Sequence, residues 1–376
     1  MIASRRNAGT AQGQDAINLC FVNTTKTWGG GERWHFENAV FARNHGFNVS
    51  IVCTQGSSLH QKAADAGIRS YHVKLSGLSF LNPVKLQKLW RYFRKNGIDA
   101  VVFNGSTDLK TAGIASLRAG VPLRIYRRGL AKAPNAGFLN HFLFEYVVTD
   151  FIVNSKATAE QLFSNISLNE KESRVHLLYN GLQPYDDRKK KDKMPGQVVF
   201  GNASRFVEQK GLHYLLEMAA IIKASRQDFI IRIAGNGPLE SELKHKASEL
   251  KLQDFVEFPG FVEDIHTFMS ELDVYVCTSL FEGFGFSVAE AMHAGKAVIG
   301  FDVSSNPELI VDKKTGYLVP AMDVNALADK AMLLMENDEK RLKMGAEAKK
   351  TALKKFNKDI QHQAFCDLIR KLIGKG

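Results

Sequence analysis

The strongest constraint on the fold is an alternation of short, β-rich apolar runs with helical patterns, repeated along the whole chain. In the first half, the runs at residues 17–23 and 47–53 lie on either side of a helical pattern at residues 32–45. The same alternation resumes at residues 198–202 and continues to residues 316–319. Strands that alternate with helices are typical of parallel sheets covered by helices. We therefore predict an α/β protein with two doubly wound sheets.

A polar stretch at residues 183–197 separates the two series of strands. It includes four consecutive basic residues, from Arg188 to Lys191, and so polar a segment cannot bury a core. The predicted organisation is a flexible leader at residues 1–16, a first Rossmann-like domain at 17–182, a linker at 183–197, a second Rossmann-like domain at 198–355, and a C-terminal helix at 356–376 that packs back on the first domain.

Positive charge is concentrated in the first half of the chain. Residues 1–195 carry 27 Lys and Arg against 14 Asp and Glu, whereas the remaining residues carry 23 against 25. A basic half beside a nearly neutral half predicts that the first domain meets an anionic partner. The charge alone leaves open whether this partner is a membrane surface, a phosphorylated acceptor or a nucleic acid.

The four cysteines, Cys20, Cys53, Cys277 and Cys366, lie far apart and mostly within apolar runs. No two of them have the spacing of metal ligands, so we expect buried free thiols in a reducing cytoplasm. No apolar run approaches the roughly 18 residues that a membrane-spanning helix needs.

A basic loop follows the strand predicted at residues 198–202. It carries Arg205 and Lys210 just before a helical pattern at residues 212–224. An arginine can grip a phosphate with two hydrogen bonds, a lysine adds a compact charge, and a helix N-terminus adds free N–H groups. Taken alone, the two cations are better explained as solvated loop residues.

A second loop brings two carboxylates to a glycine-rich elbow. Glu282 and Glu290 flank Gly283 and Gly285, which let the backbone come close to a ligand, and a helix begins near Ser287. A lone glutamate here would be explained by helix capping or an ion pair. Two of them around this elbow, downstream of the basic loop, predict a receptor for a sugar linked to a diphosphate.

These segments resemble the donor-binding domain of the retaining GT-B glycosyltransferases of family 4. The motifs that carry the resemblance are Arg205-x4-Lys210-Gly211, Glu282-x7-Glu290, the turn at residues 234–238, Asn180-Gly181, and the glycine loop at residues 29–33. The likeness is strong over residues 198–355 and mostly architectural over the first half. It implies the GT-B fold, in which two doubly wound Rossmann-like domains face each other across a cleft, the first on the acceptor side and the second binding the donor.

The resemblance also implies roles for individual residues. It implies that Arg205 and Lys210 hold the donor diphosphate and that Glu282 lies beside the donor sugar. It implies that Gly283, Phe284, Gly285 and Phe286 contact the sugar and the phosphates, and that Glu290 binds the ribose. It also implies that Phe261 and Val262 lie against the base. Gly29 and Gly30 would approach the diphosphate from the first domain. The family retains the anomeric configuration without a metal, so no cofactor is expected.

One segment departs from the family's pattern. Many relatives carry a histidine after a strand of the first domain, but here residues 123–130 contain none. Arg127 and Arg128 in this segment are candidates for holding an acceptor or a phosphate, and they are equally consistent with surface cations. No general base is assigned.

Residues 84–95 form a basic amphipathic pattern. Leu86, Leu89, Trp90 and Phe93 share one face, and five cations occupy the rest. We expect the apolar face to cover the sheet, as in an ordinary surface helix. The basic face would still attract an anionic membrane.

The predicted function is a retaining transfer of a sugar from a nucleotide-diphosphate sugar to a glycan or glycolipid, in surface polysaccharide or lipopolysaccharide assembly of the bacterial type. The enzyme would be cytoplasmic and peripheral on the inner face of the membrane, with no nucleic-acid partner. The alternatives are a nucleotide-sugar-binding protein without transfer activity and a GT-B epimerase or phosphorylase. The residues do not identify the sugar, nucleotide, acceptor, linkage or oligomeric state.

Overall fold

The computed structural model describes residues 16–135, 137–165, 171–185 and 196–374. Its strands are β1 (Asn18–Asn23), β2 (Asn48–Cys53), β3 (Arg69–His72), β4 (Ala100–Phe103), β5 (Leu123–Arg128), β6 (Asp150–Val153), β7 (Val175–Leu177), β8 (Val198–Ala203), β9 (Phe229–Ala234), β10 (Val256–Gly260), β11 (Val274–Cys277), β12 (Ala297–Phe301) and β13 (Gly316–Val319).

The helices are α1 (Gly30–Asn44), α2 (Ser58–Asp65), α3 (Pro83–Lys95), α4 (Ser106–Asp108), α5 (Ile114–Ala119), α6 (Phe138–Phe142), α7 (Lys156–Phe163), α8 (Leu212–Lys223), α9 (Glu240–Glu249), α10 (Ile265–Glu271), α11 (Phe286–His293), α12 (Asn306–Leu309), α13 (Val324–Glu336), α14 (Asp338–Lys355) and α15 (Lys358–Ile373). Short 3₁₀ segments occur at Ser79–Leu81, Lys171–Arg174 and Glu208–Lys210, and π-helical turns at Leu109–Gly113 and Leu143–Val147.

The strands form two parallel sheets. The first has seven strands in the order β3-β2-β1-β4-β5-β6-β7, and the second has six in the order β10-β9-β8-β11-β12-β13. In each sheet the order reverses once, between β1 and β4 and between β8 and β11. Such a reversal opens a crevice at the carboxyl ends of the two strands, where open α/β sheets bind ligands. The predicted architecture of two doubly wound sheets is confirmed.

The central strands are buried on both faces, which explains why they read as continuous apolar runs. In β1, every residue from Leu19 to Val22 is fully buried, and in β11 Val274 and Val276 are as well. The edge strand β3 has two exposed and two half-buried residues and none that is fully buried, so its apolar signal is weak, and the sequence pattern missed it. All four cysteines are buried free thiols, as predicted.

Contacts between residues divide the chain into two compact units. One contains the chain up to Arg127, Tyr146–Asp150 and the chain from Cys366 onward, and the other contains Arg128–Glu145 and Phe151–Phe365. In the first unit, Arg370 of α15 donates to the carbonyl oxygen of His45 at 2.8 Å and stands over the ring of Phe47. Most of the predicted leader (residues 1–15) and of the predicted linker (residues 186–195) lies outside the described residues, and the domain boundaries stay a prediction.

The apolar face of the helix α3 is partly buried. Leu89 and Phe93 are buried, while Leu86 and Trp90 are half-buried. Across the described ranges, none of the helices has the length and apolar character needed to cross a membrane.

Candidate functional site

An ion pair lies where the order of the second sheet reverses. Lys210 ends the 3₁₀ turn after β8, and Glu282 lies in the loop after β11. The Lys210 Nζ donates to Oε1 of Glu282, which also accepts a hydrogen bond from the Ser279 hydroxyl at 2.8 Å. The side chains of Lys210 and Glu282 are only 14% and 12% exposed. The structure thus places two predicted site residues in direct contact at the switch point of this sheet.

Three further hydrogen bonds join the loops that carry this pair. The Leu280 N–H donates to the Gln209 carbonyl oxygen at 2.8 Å, and the Gln209 side chain donates to the carbonyl oxygen of Phe281 at 2.8 Å. The Thr278 hydroxyl donates to the carbonyl oxygen of Lys210 at 2.9 Å. Because these bonds fix both backbones, the distance between Lys210 and Glu282 does not depend on the ion pair alone.

Two glycines permit the close approach of these loops to their neighbours. Gly211 has φ +56°, and a Cβ there would lie 2.4 Å from the Thr278 carbonyl oxygen. A Cβ on Gly283 would lie 2.1 Å from the carbonyl oxygen of Gly129. Real Cβ atoms do not come this close to backbone oxygen, so any larger residue would push the loops apart.

The backbone of Glu282 is held by a single hydroxyl. The Glu282 N–H donates to Ser304 Oγ at 3.2 Å, and the same hydroxyl donates to the Glu282 carbonyl oxygen at 2.6 Å. A serine hydroxyl can accept and donate at once, so this one side chain satisfies both backbone groups. Ser304 has φ +52°, in the left-handed region. No local motif marks Ser304, since an isolated serine after a strand is common.

The other two predicted charges have different surroundings. Arg205 is exposed, and its side chain makes no hydrogen bond or ion pair to any residue that the structure describes. Glu290 is half-buried on α11, which begins immediately after Gly285. Arg205 is therefore an exposed cation, close in the chain to Lys210.

The aromatic and apolar residues predicted for the donor differ in exposure. Phe284 is 2% exposed and packs against the rings of Phe356 and Phe286, so its side chain belongs to the core. Phe286 and Val262 are half-buried, whereas Phe261 is 70% exposed at the end of β10. Only Phe261 in this group offers a free ring face to a ligand.

Glu308 and Thr158 support the same region and were missed by the sequence analysis. The Glu308 carboxylate accepts hydrogen bonds from the N–H groups of Lys156 and Ala157, at 2.9 and 3.1 Å, and from the Tyr179 hydroxyl at 3.2 Å. It thereby caps the N-terminus of α7. Thr158, in the same helix, donates to the Gly283 carbonyl oxygen at 3.2 Å. These residues are far apart in sequence, so no local motif marks them.

The glycine loop of the first unit lies at the other switch point, between β1 and β4. Gly29 precedes α1, and Glu32 in its first turn is 6% exposed. Oε1 of Glu32 accepts hydrogen bonds from the amides of Asn23 and Asn104, at 3.1 and 3.2 Å. A Cβ on Gly31 would lie 2.7 Å from the Asn104 side chain, so the loop packs directly on this polar cluster.

A second buried carboxylate, Asp108, adjoins this cluster. It is 2% exposed and accepts hydrogen bonds from the Thr24 hydroxyl at 2.6 Å, from the Thr24 N–H at 3.2 Å and from the Gly105 N–H at 3.3 Å. Burial raises the pKa of Asp108 to about 6, against the opposing effect of these hydrogen bonds, and the charge of Glu32 adds a smaller rise.

The two arginines proposed for the acceptor differ in accessibility. Arg127 is 6% exposed, and its guanidinium stands 5.1 Å from the ring centroid of Trp34. Burial lowers the pKa of Arg127 to about 10 and the nearby charge of Glu32 opposes this fall. Arg128 donates to the carbonyl oxygen of Lys132 at 2.7 Å. Arg127 is thus built into the polar core of the first unit, and Arg128 is the more accessible of the two.

The described part of the chain holds no cluster of three or more His, Cys, Asp and Glu side chains arranged to bind a metal ion.

Comparison with known proteins identifies the family. A model of Glycosyl transferases group 1 matches residues 185–351, and a model of Glycosyltransferase Family 4 matches residues 28–184. The capsular polysaccharide biosynthesis glycosyltransferase CapM of Staphylococcus aureus is 26% identical over 345 residues, covering 85% of this chain and 89% of CapM. The poly(ribitol-phosphate) alpha-N-acetylglucosaminyltransferase of Staphylococcus aureus (strain COL) is 27% identical over 162 residues, covering 43% of this chain and 33% of that protein.

A solved structure has the same fold. Anabaena Alr3699/HepE in complex with UDP matches with a TM-score of 0.81 at 20% identity, covering 94% of this chain and 100% of that one. The chain thus belongs to the group 1, family 4 glycosyltransferases of GT-B fold, and the predicted resemblance and fold class are confirmed. The chain spans from 33% to 51% of the length of several curated relatives that it matches.

Asp108 should make folding stability depend on pH. Its pKa is raised in the folded state, so between about pH 4 and pH 6 the folded protein binds a proton that the unfolded chain has released. The contribution of Asp108 to the free energy of unfolding therefore falls as pH rises, by about 2 kcal/mol between pH 4 and pH 7. The measurement is the difference in unfolding free energy between the wild type and Asp108→Asn, by urea denaturation at several pH values.

The control for this prediction is Asp254→Asn, at an exposed position. The difference in unfolding free energy between the wild type and Asp254→Asn should not change with pH over the same range. A flat difference for Asp108→Asn as well would mean that Asp108 is ionised normally in the folded protein.

Proposed function

We propose that this chain is a retaining glycosyltransferase that moves a sugar from a nucleotide-diphosphate sugar to a glycan or glycolipid acceptor. The observation that carries the proposal is the Lys210–Glu282 pair, which lies at the switch point of the second sheet with the exposed Arg205 nearby in the chain. Membership of the glycosyltransferase family supports the same class of reaction.

Charge stabilisation is the proposed source of catalysis. When the bond between sugar and diphosphate breaks, negative charge grows on the departing phosphate. Lys210 and Arg205 would stabilise this charge, as fixed cations in a partly water-excluded site do for a developing anion. The N–H groups at the start of α11, from Gly283 to Phe286, would bind sugar hydroxyls and phosphate. A bound metal is not required by this scheme.

In this proposal Glu282 has two partners in turn. Without a donor it neutralises Lys210. With a donor bound, Lys210 would turn to the diphosphate, and the Glu282 carboxylate would be left to accept hydrogen bonds from the sugar. The bonds from Ser279 and Ser304 hold Glu282 in place during this exchange.

The remaining donor contacts are proposed from the family resemblance. Glu290 would accept hydrogen bonds from the ribose, Phe261 and Val262 would lie against the base, and Gly29 and Gly30 would approach the diphosphate. The solved neighbour HepE was crystallised with UDP, which makes UDP the first nucleotide to test.

The setting of the reaction is also a proposal. Relatives are named as glycosyltransferases of capsular polysaccharide, colanic acid and lipopolysaccharide core biosynthesis. We propose a comparable acceptor here, reached by a cytoplasmic enzyme attached peripherally to the inner face of the membrane. Arg128 is the accessible candidate for holding an anionic group of that acceptor, whereas Arg127 is buried.

Two substitutions separate the roles of the ion pair. Lys210→Ala should weaken the binding of free UDP by at least about tenfold, because a charged hydrogen bond to phosphate is lost. Glu282→Gln should instead tighten it by about fivefold, since a negative charge near the phosphates is removed while the hydrogen bond from Ser279 is kept. Isothermal titration calorimetry measures both affinities.

The same variants test the reaction itself. Both should release UDP from UDP-sugars at least about 100-fold more slowly than the wild type, and the wild type should keep its rate in EDTA. Tight donor binding without UDP release by the wild type would instead favour a binding protein. Conversion of the donor to another nucleotide sugar would favour an epimerase, and phosphate-dependent release would favour a phosphorylase.

Arg205 predicts a nucleotide-specific gain in thermal stability. A ligand that binds only the folded state raises the melting temperature. One of UDP, GDP, ADP and CMP should therefore stabilise the wild type, and Arg205→Ala should lose most of that shift. The control is Lys350→Ala, which removes an exposed cation from α14. An equal shift in Arg205→Ala and wild type would remove Arg205 from the donor site.

A further inference from the structure

Three large apolar side chains project from one short segment of the first unit. Leu78, Leu81 and Val84 are 71%, 67% and 57% exposed. They lie around the 3₁₀ turn Ser79–Leu81 and the first turn of α3. We call these three side chains the apolar tip. Exposed leucines are individually common, but a cluster on a short, well-ordered turn is typical of a surface that meets an apolar phase.

The apolar tip is held in place by specific hydrogen bonds. Lys85 donates from Nζ to the carbonyl oxygen of Lys74 at 2.8 Å and to Ser79 Oγ at 3.1 Å. The Ser76 N–H donates to the same hydroxyl at 2.8 Å, and Asn82 caps α3 by accepting from the Lys85 N–H. Since the turn is fixed before any partner binds, little conformational entropy is lost when its leucines are covered.

A strongly basic surface adjoins the apolar tip. Residues 73–98 contain six Lys and Arg and no Asp or Glu. Lys88, Arg91 and Lys95 are exposed on α3, whose opposite side buries Leu89 and Phe93. The cations therefore point away from the core with no acidic neighbour in the segment to neutralise them.

A groove of about 830 Å³ runs along the same helix. Its lining combines apolar groups with two guanidinium groups: Pro83, Val84, Leu86, Gln87, Trp90, Arg94 and Arg118. The guanidinium of Arg94 stands 5.4 Å from the ring centroid of Trp90. Such a lining matches the boundary between phosphate headgroups and acyl chains, because the arginines can contact the phosphates and the apolar groups can contact the chains.

We propose that the apolar tip, the basic face of α3 and this groove together form a docking surface for an anionic phospholipid bilayer. Leu78, Leu81 and Val84 enter the acyl boundary, while the cations lie on the lipid phosphates. This inference depends on the proposed function in one respect only, which is that the acceptor is located at a membrane. Vesicle binding measures it without any transfer reaction, so the two proposals fail separately.

The combination of features selects the bilayer over other anionic partners. A nucleic acid would contact the cations, but it offers nothing to three exposed aliphatic side chains, and this face presents no row of aromatic rings for stacking bases. The centre of a protein interface is depleted in lysine, whereas Lys88 and Lys95 are two of the exposed cations on this face. Only a lipid surface offers an apolar layer immediately beneath a dense layer of negative charge.

The test uses two variants of the full chain and their matched controls. The apolar variant is Leu78→Ser with Leu81→Ser, and its control is Leu342→Ser with Ile360→Ser, at positions 69% and 49% exposed. The basic variant is Lys88→Gln, Arg91→Gln and Lys95→Gln. Its control is Lys350→Gln, Lys354→Gln and Lys355→Gln, which makes the same charge change on the exposed face of α14. Circular dichroism verifies that each variant is folded.

Sedimentation with vesicles of phosphatidylglycerol and phosphatidylcholine, against phosphatidylcholine alone, gives the readout. We expect the wild type to bind the anionic vesicles, the basic variant to lose at least about tenfold in affinity at low salt, and both controls to bind normally. At about 0.5 M salt the charges are screened, and the residual binding should be lost in the apolar variant.

Three results would overturn the proposal. The wild type would show no preference for anionic vesicles, or the controls would lose as much affinity as the variants. Alternatively, only the basic variant would lose affinity while the apolar variant bound normally at high salt, in which case the face is a general polyanion surface that duplex DNA would also occupy.

Discussion

The candidate site depends on the charge balance between Lys210 and Glu282. Both side chains are largely removed from water, and neither charge is well accommodated there without a partner. The backbone bonds through Gln209 and Thr278 keep the two loops together even when the ion pair opens. In the proposed function, a diphosphate would replace the carboxylate as the partner of Lys210 while these bonds keep the loops in place. Glu282 would then balance the charge of Lys210 until the donor binds.

Both sheets place their polar residues by the same rule. In each, side chains from the ends of two strands meet where the strand order reverses: Asn23 and Asn104 around Glu32 in the first sheet, Lys210 and Glu282 in the second. The two sites differ in exposure and charge. The first is a buried polar cluster that supports the glycine loop, in which burial raises the pKa of Asp108. The second combines the largely buried Lys210–Glu282 pair with the exposed Arg205.

The sequence predicted the elements that bury continuous apolar runs and the charges that stand in local motifs. The strands around Lys210 and Glu282 were therefore recognisable, and the parallel sheets then implied that the two residues could meet. The edge strand β3 was missed because half of its residues face solvent. Ser304, Glu308 and Thr158 were missed because their partners are distant in sequence, and only the folded chain brings them together. The burial of Arg127 against the ring of Trp34 could not be predicted either, since basic residues are usually exposed.

The most direct test is a crystal structure of the chain with UDP, or with whichever nucleoside diphosphate stabilises it most. We expect the Lys210 Nζ to lie about 3 Å from a phosphate oxygen and the Arg205 side chain to contact the same diphosphate. Glu282 should keep the hydrogen bond from Ser279, while its distance to Lys210 increases. A diphosphate bound elsewhere, with Lys210 still paired only to Glu282, would contradict the exchange of partners on which the proposed function rests.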